Sequence, residues 1–150
     1  MKTLSKSIKE NQDISFKKGI SLEFFSAYQD IELERMMGLC DPEGTVSFVP
    51  LGNDFIGKIH EIGKGVWAAL LDSFPDLDNT VIEQEYEESQ NAVFCKVEIF
   101  GTQEKDFAGL PAKGKPFRSE HIFIFKFTEE DKIMDIQIDW DHESFVRQLS

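Results

Sequence analysis

From residue 80 onward the chain is dominated by strand-like segments, at 80–88, 92–100, 116–127 and 132–140, separated by "SQN", "GTQEKDFAGLPAKGK" and "TEED". Two helical stretches precede them. The first, "SLEFFSAYQDIELERMMGL" (21–39), offers Leu22, Phe25, Leu33 and Met36 as an apolar face, with a restart at Asp30. The second, "KIHEIGKGVWAALLDSF" (58–74), presents Ile59, Ile62, Val66, Leu70, Leu71 and Phe74, and its Gly63 and Gly65 predict a bend or a close backbone approach. Between them "DPEG" (41–44) reads as a turn and "TVSFVP" (45–50) as a short strand. Asp141 is placed to cap a short terminal helix ending near Gln148. Helices first and hairpin-linked strands afterwards exclude alternating βαβ units. They predict an α+β fold, a curved, mixed but mostly antiparallel sheet wrapped around the N-terminal helices.

Parity sorts the strands by face, because successive side chains point to opposite sides. In 117–127 the odd set is Phe117, Ser119, His121, Phe123, Phe125 and Phe127; the even set is Arg118, Glu120, Ile122, Ile124 and Lys126. The odd set is the more aromatic and is expected to face the helices. Val93, Cys95, Val97 and Ile99 share a face of 92–100, and Met134, Ile136, Ile138 and Trp140 share one of 132–140. Together they predict a concave apolar wall with His121 as its main ionisable group.

Charge narrows the partners. The formal net charge is −12, which opposes binding to a phosphate backbone, so no nucleic-acid partner is expected. Residues 1–18 hold five Lys against Glu10 and Asp13, and residues 1–19 read as a basic, loosely attached arm before a domain at 20–150. The N-terminal stretch lacks the apolar run of a signal peptide, and no segment approaches the length needed to cross a bilayer, so no membrane partner is expected. Cys40 and Cys95 have no metal-ligand or CxxC spacing and read as reduced buried thiols of a cytoplasmic protein.

"FPDL" at 74–77, "FGTQEKDFAGLPAKGKPF" at 100–117 and "FKFTEEDKIMDIQIDWD" at 125–141 follow an order and spacing that resembles SnoaL-like polyketide cyclases. The resemblance covers about residues 20–150. It implies the cone-like α+β fold of nuclear transport factor 2 and ketosteroid isomerase, with an apolar pocket open at one end. It also implies an activity, the intramolecular aldol closure of a carbonyl-flanked carbon acid, which requires no metal or organic cofactor because the substrate delocalises its own enolate. Two departures accompany it. The family's usual His after "GT" is Gln103, and the position of its catalytic Asp is Phe123, which cannot transfer a proton.

His121 lies two residues before Phe123 on the same predicted face, so a proton carrier could have moved by one pleat. With a reference pKa of about 6.5, histidine can act as base and then acid in one cycle. The alternative is structural, a ring hydrogen-bonded to a neighbour such as Ser119 or Tyr28. The pocket is expected to be lined by Trp67, Phe74, Val97, Ile99, Phe123, Ile136, Ile138 and Trp140 and to take a hydrophobic, carbonyl-bearing small molecule. Glu120 reads as a solvated partner for Arg118, Glu83, Glu85 and Glu87 as the wet face of a strand, and His60 and His142 as surface positions. Three functions stay open: a cofactor-free cyclase or isomerase, a lipophilic-ligand binding module without chemistry, and an assembly domain forming a homodimer through Ile122 and Ile124 on the outer sheet face.

Overall fold

Alternation along residues 117–127 sets the centre of the sheet. In the computed structural model, which describes the backbone of residues 2–150 and the side chains from Glu10 onward, this stretch is β5 (Pro116–Phe127). Phe117, Ser119, Phe123, Phe125 and Phe127 are buried along one face of it, while Arg118 and Glu120 are exposed on the other. It pairs antiparallel with β4 (Ala92–Thr102) and with β6 (Ile133–Trp140). Beyond β4 lies β3 (Asp78–Glu87), antiparallel. Beyond β6 lies β1 (Cys40–Phe48), parallel to it, and at the far edge β2 (Ile56–Lys58), antiparallel to β1. The order β2-β1-β6-β5-β4-β3 makes one open, mixed, mostly antiparallel sheet of six strands among the described residues.

Three irregularities bend this sheet, and two of them explain apolar residues on its outer surface. Ile82 is the extra residue between the pairs Val81↔Val97 and Glu83↔Lys96. Met134 is the extra residue between Lys126↔Asp135 and Phe127↔Ile133. A bulge opposes two residues to one and throws the additional side chain out of alternation. Ile82 is accordingly 46% exposed and Met134 44%. Met134 therefore leaves the inner set in which parity alone placed it, and Ile133 takes its place in the core. The third irregularity holds the "DPEG" turn inside β1, between Cys40↔Ile133 and Thr45↔Asp135. There the Asp41 carboxylate accepts a hydrogen bond from the Glu43 amide at 2.8 Å.

The helices cover the concave face. Helix α1 runs from Lys2 to Gln29, starting well before residue 21, so the lysine-rich stretch is continuous with it. From Glu10 to Phe16 its side chains are mostly exposed, and burial starts at Lys17, whose ammonium meets Asp13 at 3.0 Å. The face that meets the sheet is Ser21, Phe24, Phe25, Ala27 and Tyr28; Leu22 points away and is 45% exposed, contrary to the face expected from periodicity. After a break at Asp30–Glu32, α2 (Leu33–Gly38) buries Met36 and Met37. Arg35 on α2 ties the break together through Glu23, Asp30 and Glu32.

The second predicted helix begins as a wide turn, Ile59–Gly63, and continues as α3 (Lys64–Ser73). Helix α4 (His142–Leu149) closes the chain, with the Asp141 carboxylate accepting from the Ser144 amide at 3.0 Å as a cap. Cys40 and Cys95 are both buried and unpaired with each other, and burial pushes their thiols up to about 12 and about 11. No helix among the described residues is long and apolar enough to cross a membrane.

Candidate functional site

One end of the cone is filled and the other is hollow. The filled end is an edge-to-face cluster in which Phe24 and Phe25 of α1 meet Phe123 and Phe125 of β5. At the other end a cavity of about 740 Å³ lies between α3, the ends of β5 and β6, α4 and the 106–108 loop. That volume falls in the range of small-molecule sites, about 300–1,000 Å³. Ile62, Val66 and Leu70 stay half-buried because they line this space.

Of the residues expected at the site, His121, Trp67, Ile99, Phe123, Ile138 and Trp140 line the cavity. Phe74, Val97 and Ile136 are fully buried behind its wall. Phe74 is covered by the rings of Phe107, Phe117 and Phe145, with centroids 5.7, 5.0 and 6.3 Å away. Val97 sits opposite His121 in the β4–β5 ladder, and Ile136 opposite Phe125, next to the filled end.

Trp67 is held in place by a glycine. A Cβ added at Gly63 would come within 2.8 Å of the Trp67 ring, and that ring is only 1% exposed. The close approach predicted from "GKG" is therefore real at Gly63, whereas Gly65 has open space around it. Gly63→Ala is expected to cost about 1–3 kcal/mol by overpacking, measured by urea unfolding. A neutral effect would mean that the Trp67 wall yields freely.

His121 is one of the polar residues that line the cavity. Its Nδ1 lies 3.3 Å from the Ser119 carbonyl oxygen. A carbonyl only accepts, so Nδ1 carries the proton and Nε2 keeps its lone pair. Nε2 has no hydrogen-bond partner among the described residues. The imidazole stacks on Trp140, with centroids 5.2 Å apart and planes at 20°. Burial lowers the pKa of His121 to about 4, offset in part by the Ser119 bond. The ring remains partly exposed and lines the cavity.

Four further polar residues line the cavity. The hydroxyl of Tyr28 has no partner among the described residues, and burial raises its pKa, leaving it a neutral phenol. Glu61 and Asp106 stand at exposed positions of the lining. His142, expected on the surface, also lines the cavity, and its Nδ1 lies 3.3 Å from the indole Nε1 of Trp140. The available signal was proximity: two residues after Trp140, at a helix start, His142 is carried over the cavity when Asp141 turns the chain.

The other candidates have structural tasks. His60 is half-buried and its Nε2 lies 3.2 Å from the Cys40 carbonyl oxygen. Glu120 is exposed, and Arg118 pairs instead with Glu98 across the strands while its guanidinium lies 4.4 Å over the Phe100 ring. Glu83, Glu85 and Glu87 are exposed as expected. Gln103 is fully buried and its amide donates to the carbonyls of Lys105 and Leu110, at 3.1 and 2.8 Å. It fastens the loop whose tip, Ala108-Gly109, turns with both φ positive between the mutually bonded Phe107 and Leu110. Among the described residues no three His, Cys, Asp or Glu side chains converge to hold a metal ion.

An open α+β cone with an aromatic-walled hollow at one end defines a protein of the nuclear transport factor 2-like class. Residues 61–149 match the model of the SnoaL-like polyketide cyclases, and the chain belongs to that family. No curated protein matches the sequence significantly. Among solved structures, TsrD from Streptomyces laurentii is similar at TM-score 0.77 and 18% identity, covering 91% of this chain and 96% of its own. IdmH, a proposed polyketide cyclase from Streptomyces antibioticus, is similar at TM-score 0.73 and 21% identity, covering 89% and 97%. AclR, a proposed hydroxylase from Streptomyces galilaeus, is similar at TM-score 0.76 and 18% identity, covering 89% and 94%. At these identities the likeness concerns the fold. Membership in the family supports a cyclase or isomerase kind of function and is consistent with a small-molecule partner.

Proposed function

We propose that this chain is a proton-transfer enzyme of the cyclase or isomerase type, acting on a hydrophobic, enolisable carbonyl compound with His121 as its base and then its acid. The observation that carries this reading is the unpartnered Nε2 of His121 on the cavity wall, its proton held on the other nitrogen by the Ser119 carbonyl. Burial lowers the pKa to about 4, so Nε2 is unprotonated at neutral pH and can take a proton, as a weaker base than an unshifted imidazole. Apolar walls hold the reactive conformer and exclude water, and a carbonyl beside the carbon acid takes up the charge, so no cofactor is required. Glu61 and Asp106 in the lining favour neutral or cationic over anionic guests. The protein would work in the cytoplasm, through the domain at 20–150, as a homodimer paired on the outer sheet face around Ile122 and Ile124.

The test uses 2-tetralone, a bicyclic neutral ketone with an acidic C–H beside its carbonyl. In D₂O the wild-type protein should accelerate deuterium uptake at that carbon, read by NMR, and His121→Asn should reduce the acceleration by about 10²-fold or more. Uptake at the buffer rate with wild type, or equal uptake with both proteins, would overturn the proposal. Ligand binding without chemistry is the second reading, favoured by Phe123 at the position of the family's Asp. It expects tetralone to bind with no exchange above buffer.

A further inference from the structure

Two histidines contact Trp140, His121 stacked on the indole and His142 edge-on to it, and their hydrogen-bond partners force them into opposite tautomers. The Ser119 carbonyl fixes the proton of His121 on Nδ1, leaving Nε2 as an acceptor. The indole N–H of Trp140 can only donate, so the Nδ1 it reaches in His142 must accept. The proton of the neutral His142 ring then sits on Nε2, which has no partner among the described residues. His142 is also braced from behind by Phe145, which stacks on it with centroids 5.8 Å apart and planes at 20°. Both rings line the same cavity. The cavity lining thus includes one imidazole with an unpartnered lone pair and one with an unpartnered N–H, both in contact with Trp140.

We propose that His142 is a second catalytic residue, the hydrogen-bond donor that holds the substrate's carbonyl oxygen while His121 removes the adjacent proton. This rests on the proton-transfer reading of the cavity and adds its electrophilic half. In the step, the C–H bond breaks and its proton moves to Nε2 of His121. The electron pair forms the carbon–carbon double bond of the enolate, and the negative charge falls on the oxygen that faces the Nε2–H of His142. Return of the proton from His121 to carbon restores the neutral imidazole; when the enolate carbon instead attacks a second carbonyl, the alkoxide that forms takes the proton from Nε2 and restores it. A donor aimed where charge develops strengthens its bond in the transition state, so it acts on rate more than on binding. The arrangement selects neutral ketones or esters with an acidic C–H beside the carbonyl.

The experiment compares 2-tetralone with tetralin, the hydrocarbon of nearly the same shape, on wild type, His142→Phe and His121→Phe. Wild type should bind the ketone about five- to tenfold more tightly than the hydrocarbon, as one hydrogen bond allows. His142→Phe, which keeps the stack on Phe145, should bind both equally and lose at least tenfold in deuterium uptake. His121→Phe should keep the preference for the ketone while losing uptake. Independently of any variant, ¹⁵N NMR of the wild-type imidazoles should show the Nδ1–H form for His121 and the Nε2–H form for His142. An Nδ1–H tautomer at His142, or an undiminished ketone preference in His142→Phe, would overturn the assignment. Should wild type bind neither compound, or give no uptake, the underlying proton-transfer reading fails instead.

Discussion

Phe24→Ala should lower the unfolding free energy by about 3–5 kcal/mol, among the largest losses expected from a single truncation. Phe24 is fully buried, and its ring meets Phe25, Tyr28, Trp67 and Phe125 edge to face, with centroids 5.8, 6.4, 5.4 and 5.4 Å away. It therefore joins α1 to the sheet and to α3 at once. Alanine would remove the ring's transfer free energy and leave a hole that aromatic neighbours, already edge-packed, fill poorly. Urea denaturation measures the loss directly. Phe24→Leu should cost less, about 1–2 kcal/mol, because most of the volume stays. A loss below about 1 kcal/mol for alanine would mean that α1 is held by other contacts.

The second large effect is a pH dependence of stability that belongs to His121. Its folded pKa of about 4 lies below the 6.5 of the unfolded chain. Below pH 6.5 the unfolded chain therefore binds a proton that the folded chain refuses, and unfolding is favoured. The loss begins near pH 6.5, grows as pH falls and levels off near pH 4, where the folded ring also protonates. Its full size is about 3 kcal/mol. Carboxylates titrate over the same range, so the quantity to measure is a difference. Between pH 7 and pH 4.5 wild type should lose about 2–3 kcal/mol more than His121→Phe. Parallel losses in the two proteins would show that the imidazole is solvated and not confined to the cavity. The same displacement predicts that any His121-dependent turnover persists on the acid side to near pH 4.

How far the sequence could be read depended on whether a signal was local. The inner set of β5 followed from alternation because nothing interrupts the ladder between Phe117 and Phe125. The Asp141 cap was legible because capping involves neighbours in the chain. Met134 was misplaced because a bulge inserts one residue without a compositional mark. Residues 2–20 carried no apolar face, so periodicity could not register a helix there, although α1 covers them. Strand β2 was missed because three residues are too few to show a period. At the site, His121 was visible from its strand. His142 was not, because its place over the cavity depends on the corner between β6 and α4.

An unclosed sheet leaves two flanks on which another chain's strand could grow. One flank, β2, is three residues long and offers little to copy. The other, β3, is long enough, but it is kinked at Ile82 and carries the outward side chains of Glu83, Glu85 and Glu87. An incoming strand would meet like charge and a mismatched rise, two devices that discourage fibrillar stacking. The glutamate run thus earns a role in colloidal behaviour that needs no guest and no chemistry. Because it faces away from the hollow, it can be altered for handling without disturbing what the hollow does.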